Sequence, residues 1–153
     1  MMRFKRILVA TDFGPSAERA VEVALDLGTR GGAEIVLLHV WQAPAFAYSG
    51  MTYSVHDVLA PIRDEAQLAL DLAIERASLR SMNVTGLLRA GRPWVEIRDA
   101  IDELHPDLVV LGTAGRRALA RVLLGSVAEK IVRISPVPVL TVHASDERRD
   151  AAE

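Results

Sequence analysis

Four short runs dominated by Val, Ile and Leu, at 7–10, 35–40, 108–111 and 137–142, interrupt a chain otherwise patterned at helical spacing. Each run is too short for a helix. Unbroken apolarity, in place of strict alternation, predicts strands buried on both faces, as in a parallel sheet. A fifth, weaker strand is read at 84–90, where Gly86 and Arg89 dilute the signal. Between the strands, Gly14-Pro15 opens a helix over 16–29, because proline at a first helical position sacrifices no hydrogen bond. Ala17, Ala20, Val21, Ala24, Leu25 and Leu27 give that helix one apolar side, and Gly31-Gly32 ends it. A longer helix is predicted over about 55–82, with Pro61 implying an early kink or a late start. A third follows Pro93, with Trp94, Ile97, Ile101 and Leu104 at spacings of three and four. The last opens at Ser126 with Glu129 three residues on, a capping-box pattern, and stops before Pro136.

Strand and helix alternate four times before a closing strand, which predicts one α/β domain, a doubly wound five-stranded parallel sheet with about four helices on both faces. Right-handed crossovers and an order of 3-2-1-4-5 put the switch point between the first and fourth strands. Ligands in such sheets bind outside the carboxyl ends of the strands at that point. The first strand ends at Thr11-Asp12 and the fourth at Gly112, so candidate chemistry is sought there. The segment 42–54, holding Pro44, Phe46, Tyr48, Gly50 and Tyr53, has no periodicity and reads as a surface connection, with a lid or a partner surface as the alternative. Residues 1–143 are expected to form the domain, and the polar stretch 144–153 a disordered tail.

Composition narrows the function. A chain of 153 residues suits a single core. Lys and Arg number 18 against 20 Asp and Glu, a formal charge of −2, which disfavours nucleic-acid binding by a basic surface. The absence of cysteine removes disulfides, thiolate nucleophiles and cysteine-based metal sites. No apolar run approaches the ~20 residues of a membrane span, and the run after Arg6 is too short for a signal peptide. A soluble, cytoplasmic protein is expected.

The informative segment runs from Gly112-Thr113-Ala114-Gly115, across nine residues, to Gly125-Ser126. It leaves a strand's carboxyl end and enters a helix N-terminus. Glycine there allows positive φ and close approach of a ligand to the backbone. A helix start offers unpaired N–H groups and partial positive charge, a seat for phosphate. Ser126 adds a hydroxyl, although capping would compete for it, and Arg116, Arg117 and Arg121 add cations between the glycine groups. Taken singly these are a turn, a cap and a solvated face; together, at a switch point, they point to phosphate. Neither Gly-Lys-Ser/Thr nor Gly-x-Gly-x-x-Gly occurs, so the common P-loop and dinucleotide fingerprints are missing.

The spacing Gly-x2-Gly-x9-Gly-Ser, carried by Gly112, Gly115, Gly125 and Ser126, resembles that of the ATP-binding universal stress proteins. The resemblance extends over about residues 3–143. It takes in Arg6-Ile7-Leu8-Val9-Ala10-Thr11-Asp12 with Ser16 following, the Gly91-Arg92-Pro93 turn and the closing Pro136-Val137-Pro138-Val139-Leu140. It implies an adenine nucleotide alpha hydrolase-like fold with ATP across the ends of the first and fourth strands. Ala10, Thr11 and Asp12 would hold adenine and ribose, with Asp12 accepting from a ribose hydroxyl and the Val40 backbone meeting adenine. Leu111, Gly112 and Thr113 would line the ribose side, and Gly115, Arg116, Gly125, Ser126 and Val127 would surround the phosphates, with Mg²⁺ or Mn²⁺ as a possible companion. Ala114 departs from relatives with a larger polar residue there, so one side-chain contact is lost. Read without the resemblance, Asp12 is equally a strand-end carboxylate that caps the following turn.

Other chemistry lacks its residues. His39, His56, His105 and His143 show no metal-ligand spacing, and His39, inside an apolar run, reads as a satisfied core residue. There is no Gly-x-Ser-x-Gly elbow. A phosphoacceptor domain would need an acidic pair at the first strand and a lysine near the fifth, whereas Asp12 follows Thr11 and no such lysine occurs. With no general base in evidence, the expected function is that of a nucleotide-responsive stress factor acting by binding and not as an enzyme, although slow ATP hydrolysis is not excluded. The alternative is a dimeric interaction module of the same fold that binds no nucleotide. Pro138 marks the last run as an edge strand. The resemblance implies a homodimer paired through that run, from Val137 to Val142, with no nucleic-acid or membrane partner.

Overall fold

The structure, a computed structural model, describes residues 3–45, 55–115 and 124–144. In chain order the elements are β1 (Arg6–Ala10), α1 (Pro15–Thr29), β2 (Glu34–Trp41), α2 (Val55–Ser78), β3 (Val84–Ala90), α3 (Pro93–Leu104), β4 (Leu108–Gly112), α4 (Ser126–Ile134) and β5 (Val139–Val142). The five strands form one parallel sheet in the order 3-2-1-4-5, as the alternation predicts.

Register explains why the runs are continuously apolar. Ile7 stands beside Ile35 and Leu108, and Leu8 beside Val36 and Val109. Successive residues point to opposite faces of the sheet, and both faces are covered. Ile7, Val9, Ile35, Leu37 and Val110 pack with Ala20, Ala24 and Leu25 of α1 and Leu70 of α2. Leu8, Val36, Leu38, Val109 and Leu111 pack with Ile97 and Ile101 of α3 and Ile131 of α4.

Two boundaries differ from the sequence reading, and one open alternative is decided. α2 starts at Val55 and continues through Pro61, so the late start is not taken. Pro61 lies on the exposed side of the helix, where a missing backbone donor is least costly. The same helix ends at Ser78, short of Met82, because the chain must extend for the Asn83 carbonyl to accept from the Ile35 N–H (2.8 Å). β5 begins at Val139, two residues later than the apolar run. Val137 is held in a turn by Ser135, whose hydroxyl accepts from the Val137 N–H and donates to the Val137 carbonyl. Pro138 only accepts, from Val109 (3.0 Å), before regular pairing starts. Residues 145–153 of the expected tail, and 46–54 of the aromatic connection, lie outside the described residues.

At the opposite end from the switch point, Asp107 ties β1 to β4. Its Oδ2 accepts from the backbone N–H groups of Lys5 and Arg6 (2.9 Å to the latter). Those hydrogen bonds, from Arg6 and then Lys5, hold the carboxyl below its ordinary value of 3.8, helped by the nearby charges of both residues. A depressed carboxylate stabilises the fold above its unfolded pKa, and that contribution disappears as pH falls through the folded pKa. Asp107→Asn is therefore expected to be less stable than wild type at pH 7, with the gap narrowing below about pH 4. Urea unfolding of both proteins across pH 3–7 reads this directly, and a gap that widens on acidification contradicts it.

Candidate functional site

β1 and β4 are neighbours, yet their chains leave in opposite directions: α1 covers one face of the sheet and α4 the other. Their divergence opens a cleft of about 310 Å³ at the carboxyl ends of the strands. Ala10, Leu38, Val40, Leu111 and Ile97 make its apolar walls. Thr11-Asp12, the segment from Gly112 to Gly115, and the head of α4 from Gly125 to Ala128 supply its polar rim.

The strand ends are fixed by buried polar side chains. Thr11, Ser16 and Thr113 are the buried polar residues among those described, and all three lie around the cleft. Thr11 Oγ1 accepts from the Phe13 N–H (3.0 Å), and Asp12 Oδ1 from the Gly14 N–H (2.9 Å). These two bonds hold a tight strand-to-helix turn in which Phe13 takes a left-handed φ of 64°. Such a conformation costs a non-glycine residue on the order of 1–3 kcal/mol and persists only when its surroundings determine it. The Phe13 ring meets the His39 ring at 4.4 Å, and His39 Nδ1 lies 2.8 Å from the Thr11 carbonyl. A carbonyl only accepts, so Nδ1 carries the proton. His39 is thus half-buried and satisfied, and it braces the turn.

The turn and the glycine segment are joined directly. The Ser16 hydroxyl donates to the Ala114 carbonyl at 2.6 Å. Thr113 receives the Gly125 N–H on its carbonyl, gives its own N–H to Val142 (2.9 Å) and meets His143 Nδ1 through Oγ1 (3.2 Å). The Gly125 bond draws the two ends of the glycine segment together.

The glycines serve space and not positive φ, which corrects one part of the sequence reading: none of Gly112, Gly115 and Gly125 has a positive φ. A Cβ on Gly112 would sit 2.4 Å from Ser16 Oγ and 2.7 Å from the Ala17 nitrogen, so this glycine lets α1 approach β4. At Gly115 the nearest atom to a Cβ would be Asp12 Oδ2 at 3.7 Å, so this glycine leaves open space beside a carboxylate. The capping-box reading is also corrected. Gly125 is the N-cap of α4, its carbonyl accepting from Glu129 (2.9 Å), with no side-chain cap bond. Ser126 is the first helical residue and lines the cleft.

Of the twelve candidate residues, the cleft brings together Ala10, Thr11, Asp12, Val40, Leu111, Gly112, Thr113, Gly115, Gly125, Ser126 and Val127. Arg116 lies in 116–123, outside the described residues, as do Arg117 and Arg121. Ala17, Leu38, Gln42, Pro93, Ile97 and Ala128 also line the cleft and were not among the candidates. Two carried a signal: Leu38 is two residues before Val40 on the same strand face, and Ile97 is one helical turn after Pro93. Among the described residues no group of three or more His, Asp or Glu side chains is disposed to hold a metal ion. No helix among them is long and apolar enough to cross a membrane.

The sequence matches the model of the universal stress protein family over residues 3–143. The chain belongs to that family. Among its relatives, a universal stress protein of Thermus aquaticus is 33% identical over 145 residues, covering 91% of this chain and 98% of the relative. The solved structure of MJ0577, a universal stress protein of Methanocaldococcus jannaschii, superposes with a TM-score of 0.83 at 26% identity, over 95% of this chain and 100% of that one. A universal stress protein solved in complex with cAMP superposes with a TM-score of 0.71, also at 26% identity, over 94% of this chain and 100% of that one.

The two glycines at the cleft should respond differently to a single methyl group. Gly112→Ala is expected to destabilise the fold by about 1–3 kcal/mol, as overpacking against backbone does. Gly115→Ala, whose Cβ meets only an ordinary contact, should stay within about 0.5 kcal/mol of wild type. Urea unfolding midpoints at a common slope test the contrast, and equal losses would contradict it.

Proposed function

We propose that this chain is an ATP-binding universal stress protein that acts as a nucleotide-responsive stress factor through binding, with residues 1–143 as the functional domain. The observation that carries the reading is the convergence of Asp12, Val40 and the Gly112, Gly115, Gly125 and Ser126 pattern on one switch-point cleft. The apolar walls suit a purine, with the end of β2 at Val40 offering backbone to its edge. Asp12, the one charged side chain among the described residues of the lining, suits the hydroxyls of a ribose and would repel phosphate. Phosphates belong at the other end, on the Ser126 hydroxyl and the unpaired N–H groups at the head of α4. Arg116 would add charge there. The Gly115 position fits the cleft, since a Cβ there would fill open space beside Asp12 that a bound nucleotide needs. A relative of 26% identity solved with cAMP, itself an adenine nucleotide, supports the ligand class.

Mg²⁺ or Mn²⁺ would arrive with the phosphates, not on a protein ligand set. No side chain at the cleft is assigned as a general base, so turnover is expected to stay below the roughly 1 s⁻¹ at which ordinary enzymes begin. A cytoplasmic location belongs to the same proposal.

Thermal unfolding of protein stripped of nucleotide, with and without Mg-ATP, tests the site. Ligand at 100 times its Kd stabilises by about 2.7 kcal/mol, on the order of 5–10 °C for a domain of this size. Gly115→Val is expected to fold and to lose the shift. No shift with ATP, ADP or AMP would favour an interaction module that binds no nucleotide.

The same proposal includes a homodimer. Among the described residues β5 pairs with β4 alone, and Val139 to Val142 are only half-buried, so the strand offers an apolar edge. Light scattering after gel filtration should give twice the 16.7 kDa chain mass at micromolar concentration; a monomer would count against it.

A further inference from the structure

α2 has two apolar faces. One, carrying Ala66, Leu70 and Ala77, is buried against the sheet. At about 100° per residue, Leu68 and Leu72 lie about 160° to either side of Leu70, on the outward surface. They are 61% and 49% exposed, and Leu79, in the turn that follows, is 86% exposed. Residues 61, 65, 68, 72, 75 and 79 follow the alternating four-and-three spacing of a coiled-coil seam, occupied by Pro, Glu, Leu, Leu, Glu and Leu. Met82 extends the apolar end, fully exposed.

Charge selects among occupants. Glu65 and Glu75 stand in the seam, Asp64 and Asp71 flank one side, and Arg76 is the one cation on the other. No described Lys or Arg forms an ion pair with any of the four acids. A second copy docked by the same face would bring this acidic set against itself, and an anionic lipid surface would be repelled. The complement is apolar at heptad spacing and positive at its flanks. α2 also packs over β2 and β3, at the far side of the sheet from β5, so this face stays open when the β5 edge is occupied.

We propose that the outward face of α2 is a docking surface for a basic amphipathic helix of a partner protein, read through Leu68, Leu72 and Leu79. The docking is helix against helix, with anchors at i, i+4 and i+11 and lysines or arginines of the partner beside Asp64, Glu65, Asp71 and Glu75. It does not depend on nucleotide.

The probe is a synthetic peptide of about three heptads with Leu at a and d and Lys at e and g, titrated by fluorescence anisotropy against the full chain. The wild-type protein is expected to bind it, with affinity falling steeply in about 1 M salt, where charges are screened within about 3 Å. Leu68→Glu/Leu72→Glu should bind at least about tenfold more weakly at an unchanged melting temperature, and Asp64→Lys/Asp71→Lys should weaken binding while keeping the leucines. A peptide with Glu in place of Lys should not bind. Binding that survives both double variants, or equal binding of the acidic peptide, overturns the proposal. So does a wild-type dimer that Leu72→Glu dissociates, which would make a second copy the occupant, or co-sedimentation with phosphatidylserine vesicles that Leu68→Glu abolishes.

Discussion

β1 lies between β2, which follows it in the chain, and β4, about a hundred residues away. This long-range parallel pairing is what the remaining structure hangs on. It makes β1 the central strand, buried on both faces and both edges, and so requires the unbroken Ile7-Leu8-Val9. It also puts the crossover that leaves β1 through α1 and the one that reaches β4 through α3 on opposite faces of the sheet. The cleft is a by-product of that reversal: two adjacent strands whose chains part company leave a gap that neither α1 nor α4 fills.

Holding the gap to a defined shape falls to a few small groups. Gly112 permits α1 to press its first turn against the end of β4, and the Ser16 hydroxyl converts that approach into a bond to Ala114. On the other side, the Gly125 N–H closes the glycine segment onto Thr113. Each link joins backbone to backbone or to a short hydroxyl, so the rim is stiff with little side-chain entropy to lose. Among the described residues of the rim, the left-handed Phe13 is the one strained element. It is maintained by Thr11 and Asp12 within the turn and by His39 from the neighbouring strand.

Much of this was readable from the sequence because the relevant physics is local or periodic. Runs such as Ile35-Val36-Leu37-Leu38 report burial on two faces, and the strand order follows from alternation plus handedness. The cleft's rim was legible because Thr11-Asp12 and Gly112 fall where strands end. What escaped depends on three-dimensional detail. Whether Ser126 or Gly125 caps α4 turns on a single residue of register, which Ser126 and Glu129 signal wrongly because glycine can cap with its backbone alone. Pro61 breaks helices on average, and only its position on the exposed side lets α2 continue. Gly112 and Gly115 look alike in sequence, and what separates them is the atom each would strike.

The bond between Ser16 and Ala114 spans 98 positions, and this has a consequence in time. During synthesis at about 5–20 residues per second, β1 and α1 emerge several seconds before the chain that completes the rim. Once β2 has followed, the central strand has one neighbour and one open edge until β4 arrives, and the Ser16 hydroxyl has water for a partner. The ligand-sized gap therefore comes into being only with the final third of the chain, and a nascent or truncated protein lacking it carries an aggregation-prone strand edge in its place.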